Sequence, residues 1–158
     1  GAREEYPESP TIGAVLPSGT YLVYMNSQGF VGEDNRLFAR LSTGASMMTC
    51  IVSETAMVSF SAGWSNGVEL WGVFHDVDRG PEHLETRGKV PPEFQAIRDR
   101  LFSKQQAEEE DSADYIFDIP VELFAALGGM RYDRDLPGAG PAPWEVLQPI
   151  KKPWWKFW

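Results

Sequence analysis

Asn66-Gly67 lies between two runs of β-forming residues, Ala56–Ala62 and Val68–His75, and no other dipeptide constrains the chain as much. Both residues tolerate positive φ, so the pair closes a two-residue hairpin whose twist suits its strands. A hairpin here commits the first half of the chain to an antiparallel sheet. Thr20–Met25 (TYLVYM) and Met47–Ser53 are also rich in β-branched and aromatic residues and are predicted strands. Asn26-Ser27-Gln28-Gly29 and Gly32-Glu33-Asp34-Asn35 read as turns, and Arg36–Leu41 as a short strand after them. Tyr21, Tyr24, Phe38, Phe60, Trp64, Trp71 and Phe74 are spread over these strands and are candidate core residues.

The second half changes period. Pro91-Pro92 stands where a helix begins, and Phe94, Ile97 and Leu101 then recur at helical spacing. The helix runs out into Glu108-Glu109-Glu110-Asp111, an acidic run read as a solvated loop. Tyr115-Ile116-Phe117 is predicted as a last strand. Asp118 and Pro120 mark a second helix start, and Gly128-Gly129 its end. Strands followed by helices predict an α+β fold: a mostly antiparallel sheet with about two helices from the C-terminal half on one face. The expected layout is a flexible arm over residues 1–18 and a single domain over 19–136. A Pro/Gly linker and a basic aromatic tail then fill 137–158.

The chain of 158 residues suits one core, and 42% hydrophobic residues argue against disorder throughout. No apolar run reaches the roughly 20 residues of a membrane helix. The net charge is −9, which disfavours binding to a phosphate backbone, so no nucleic-acid partner is expected. The charge is uneven: residues 144–158 carry three lysines and one glutamate against an otherwise acidic chain. Cys50 is the single cysteine, so no intramolecular disulfide forms, which favours a reducing, cytoplasmic setting. Cys50 itself is read as a small buried hydrophobe.

Three groups of residues could carry function. Gly63-Trp64-Ser65-Asn66-Gly67 fits G-x-S-x-G, the turn that presents a nucleophilic serine in hydrolases. Asp76, Asp78 and His83 follow Ser65 in serine–acid–histidine order, but the strand predicted after it favours a plain hairpin. The second group is the His75–Glu85 loop, which holds both histidines. His75, Asp76 and His83 are candidates for acid–base catalysis, and His75, Asp78, His83 and Glu85 for a metal. Their spacing matches no compact metal motif, and His75 and Asp76, as strand neighbours, point to opposite faces.

The third group is the tail, where Lys151, Lys152, Trp154, Trp155, Phe157 and Trp158 combine basic charge with aromatic area. Tryptophan anchors interfaces, so the tail either folds back on its own domain or docks on a protein partner or a second copy. Weak peripheral attachment to a bilayer is the remaining reading. The chain has no P-loop, no G-x-G-x-x-G, no C-x-x-C and no H-E-x-x-H, so no cofactor is implied. The expected function is a non-catalytic protein-binding domain, immunity- or adaptor-like, working through its acidic surface and tail. A small hydrolase using the His75–Glu85 loop is the first alternative. A peripheral membrane or assembly component held by the tail is the second.

Overall fold

The computed structural model describes residues 2–26, 35–107, 113–136, 138 and 140–148. The acidic run 108–111, most of the two turns between 26 and 35, and the tail 151–158 therefore lie outside the described residues. All strand pairs are antiparallel, and the chain has the α+β character expected of it. It divides into two compact units, one built from both chain ends and one from residues 30–135.

The first unit is a four-stranded sheet of β1 (Arg3–Glu4), β2 (Thr11–Val15), β3 (Tyr21–Met25) and β8 (Trp144–Val146), in the order β1-β8-β2-β3. Both β1 and β2 fall inside the stretch expected as an arm, and β8 inside the stretch expected as linker and tail. The Pro, Glu and Ser residues around β2 mark its turns, while Ile12 and Ala14 within it are buried. Ile12 pairs with Tyr24 on one side and Val146 on the other. Trp144 packs against Tyr24 with ring centroids 5.9 Å apart.

The second unit holds the sheet β4-β5-β6-β7, formed by β4 (Ser46–Ser53), β5 (Val58–Ser65), β6 (Val68–Asp76) and β7 (Glu85–Gly88). Asn66 and Gly67 take φ of 49° and 82°, the paired positive values that a tight hairpin requires. Alternation along the strands gives the sheet two apolar faces. Trp71 and Val73 face α2 (Glu93–Ala107) and α3 (Asp118–Gly128), and pack with Phe94, Leu101, Ile119 and Leu123. Gly63 makes room for this: a Cβ there would come within 2.2 Å of Trp71 Nε1. On the opposite face Phe60, Ala62 and Trp64 pack with Phe38 of α1 (Asn35–Leu41).

Three local expectations are corrected. Arg36–Leu41 is helical, and the buried Phe38, with Ala39 beside it, seats the helix on the sheet. Tyr115-Ile116-Phe117 is a turn, held by Asp114 Oδ1, which accepts from Ile116 N–H and Phe117 N–H at 3.0 Å each. Asp118 does not cap α3. It is the first helical residue, and its carboxylate accepts from Arg131 Nη2 at 2.8 Å. Gly129 ends α3 at φ 75°, as expected of the glycine pair.

Candidate functional site

The hairpin register places the candidate serine far from either imidazole. Ser65 pairs with Val68 at the turn, while His75 pairs with Ser59 at the other end of the same ladder. Six residue steps along the strand separate Ser59 from Ser65, about 20 Å at strand rise. The Ser65 hydroxyl lies 3.2 Å from that of Ser46. The serine–acid–histidine order in the sequence is therefore not a spatial arrangement. The glycines that complete the motif serve the hairpin turn and the seat of Trp71.

His75, next to last in β6, lies on the face that meets the helices, and it is fully buried. Its Nδ1 lies 2.8 Å from the His83 carbonyl and its Nε2 3.1 Å from Asp114 Oδ2. A carbonyl and a carboxylate only accept, so both ring nitrogens donate and the imidazole is held as a cation beside ionised Asp114. Burial works against charge on His75. The Asp114 and His83 hydrogen bonds and the nearby carboxylates of Asp114 and Asp76 outweigh it, so the pKa lies above the ordinary histidine value. Burial likewise opposes charge on Asp114, but the bond from His75 and those from Phe117 N–H and Ile116 N–H hold its pKa below the usual carboxylate value.

His83 is committed differently. Its Nδ1 accepts from Asp76 N–H at 3.0 Å, which fixes the proton on Nε2. That nitrogen is 3.2 Å from Glu85 Oε1, a close polar contact that is not aligned for a hydrogen bond. The two imidazole centroids are 6.3 Å apart. Asp76 caps the 3-10 turn Val77–Arg79 by accepting from Asp78 N–H, and its other oxygen is 3.3 Å from Arg79 Nε. Asp78 is exposed, and Glu85 pairs with Arg79 Nη1 at 2.9 Å. Among the described residues, no three His, Cys, Asp or Glu side chains are grouped to hold a metal ion. The structure thus gathers His75, His83, Asp76 and Glu85 into one neighbourhood, where their polar atoms are spent on the fold. Asp114, absent from the sequence reading, is its organising group. A carboxylate immediately ahead of the turn that enters α3 is its one sequence signal.

A different feature has room for a ligand. Beside β7 a groove of about 640 Å³ opens between the strand and α2. Leu84, Phe94 and Phe102 supply its apolar surface, and Glu82, Arg98, Asp99 and Gln106 its polar surface. Phe94, Arg98, Phe102 and Gln106 are spaced by four along α2, a stripe beside the Phe94–Ile97–Leu101 face that the periodicity picks out. β7 is a sheet edge. Lys89 N–H bonds to Leu70 O, so in this register Arg87 and Glu85 bond inward, and the backbone groups of Thr86 and Gly88 face outward. Gly88, at φ 63°, ends the strand, and a Cβ there would come within 2.2 Å of Leu70 O.

No helix among the described residues is long and apolar enough to cross a membrane. No protein-family model, curated protein or solved structure matches the chain.

Proposed function

We propose that the chain is a non-catalytic protein-binding domain, and that it takes an extended, basic segment of a partner in the groove between β7 and α2. The observation that carries this reading is the pairing of an open strand edge with an adjoining apolar trough. Thr86 and Gly88 offer backbone donors and acceptors, while Leu84, Phe94 and Phe102 lie alongside to take side chains. Strand addition works in this way: main-chain bonds give affinity, and pockets for alternate side chains give selectivity. The net charge of −9 favours a partner rich in lysine or arginine and speeds its approach at low salt. The commitment of both His75 nitrogens to acceptors weighs against acid–base or metal chemistry in the same loop.

Selection of random peptides on the folded protein tests the proposal. Enriched peptides should carry apolar residues at alternate positions and a surplus of basic ones. Leu84→Asp should weaken their binding at least tenfold, and raised salt should weaken it further. A selection that enriches nothing, or peptides indifferent to Leu84→Asp, would end this reading.

A further inference from the structure

We propose that β3 is a self-association edge, along which two copies of the chain pair antiparallel about a two-fold axis through Val23. The strand stands last in its sheet, and no described residue pairs with its outer side. Two hydrogen bonds fix which groups face outward. Leu16 N–H bonds to Thr20 O, and Asn26 N–H to Pro10 O. In the register that these set, Leu22 and Tyr24 bond inward to β2, leaving the N–H and C=O of Tyr21, Val23 and Met25 on the open edge. The side chains of the same three residues lie on the solvent face, with Tyr21 and Val23 each 49% exposed and Met25 53%.

An edge with these properties is unusual. Exposed edges are ordinarily blunted by lysine, proline, a bulge or an inward charge. Tyr21–Met25 has none of these, and it is uncharged on a chain of net charge −9. Two like-charged copies meet at least electrostatic cost along such a seam.

The odd number of outward residues selects the geometry. With Val23 on the axis, Val23 meets its own counterpart, and Tyr21 meets Met25 of the second copy on both sides of it. Each of these three pairs exchanges two backbone hydrogen bonds, so the seam closes on itself and leaves no further edge of the same kind. Tyr21 against methionine and valine against valine are favourable cross-strand neighbours. Covering the exposed parts of these three side chains on both copies removes at most on the order of 600 Å² from water, well under half of the roughly 1,600 Å² that an interface of standard size buries. The partner that fits is thus a second copy held transiently.

Sedimentation of the full chain across a concentration series tests this. A monomer–dimer equilibrium should appear and tighten as salt screens the net charge. Val23→Lys should weaken it at least tenfold, and Leu70→Lys, at an exposed position on the other sheet, should leave it unchanged. Hydrogen exchange on the unaltered protein gives an independent reading: the Tyr21, Val23 and Met25 amides should exchange more slowly as concentration rises. Dimers that survive Val23→Lys, open-ended oligomers, or amides whose exchange ignores concentration would each overturn the proposal.

Discussion

His75 Nε2 lies 3.1 Å from Asp114 Oδ2, and this pair joins the end of β6 to the segment that leads into α3. Asp114 serves two elements at once, since its other oxygen accepts from Ile116 N–H and Phe117 N–H. Asp114→Ala should remove the turn's acceptor and leave a buried imidazolium unpaired, at a cost of about 3 kcal/mol. Asp114→Asn keeps an acceptor for the turn and offers an N–H to the ring, which then rests neutral, so it should cost about half as much. Chemical denaturation of the two variants in parallel checks the order.

The same pair sets a pH dependence whose sign follows from the two shifts. His75 has a folded pKa above its unfolded value of about 6.5, so its contribution is complete below that value and is lost as pH rises through the folded pKa. Asp114 is shifted downward, so its contribution is complete above about pH 4 and is lost as pH falls through its folded pKa. Stability should therefore plateau between about pH 4 and 6.5 and decline on the alkaline side. Thermal melts from pH 5 to 9 should show that decline, and Asp114→Asn should flatten it.

Gly88→Ala should destabilise the second unit by about 3 kcal/mol, because its Cβ meets the Leu70 backbone and the residue must hold positive φ. Gly19→Ala shares the positive φ but meets nothing within 4 Å, so its cost should stay near 1 kcal/mol. Comparing the two melting curves separates conformational strain from collision. Loss of peptide binding in Gly88→Ala alone would further tie the β7 edge to the groove.

Cys50 sits half-buried on β4, and loss of solvation pushes its thiol up to about 12, with Arg131 partly opposing the shift. The native protein should react with a thiol reagent at neutral pH at least a hundredfold more slowly than the unfolded chain. Fast labelling of folded protein would show that β4 opens readily.

The hairpin at Asn66-Gly67 was legible because two adjacent residues encode the whole turn. The helix at 35–41 was not, because Leu37, Phe38 and Leu41 occupy so short a stretch that helical and strand periods both fit. Sequence proximity singled out His75 and His83, but a histidine's role depends on which atoms its nitrogens face. For His75 one of those atoms belongs to Asp114, 39 residues away. β8 escaped for a similar reason: it is three residues long, and its partners β1 and β2 lie more than 130 residues back along the chain. The groove beside β7 shows in sequence only as the Phe94–Phe102 stripe, because Glu85–Gly88, the strand that completes it, has no apolar residue to mark it.

Because β8 lies between β1 and β2, the first sheet joins the two ends of the described chain. Its central strand leaves the ribosome only after all of residues 30–135 has been made. The second unit is one unbroken stretch and can fold while synthesis continues. During that interval β2 and β3 exist at most as an isolated hairpin, which is marginal in water. Translation thus lets the helix-backed sheet begin to form before the terminal one can close.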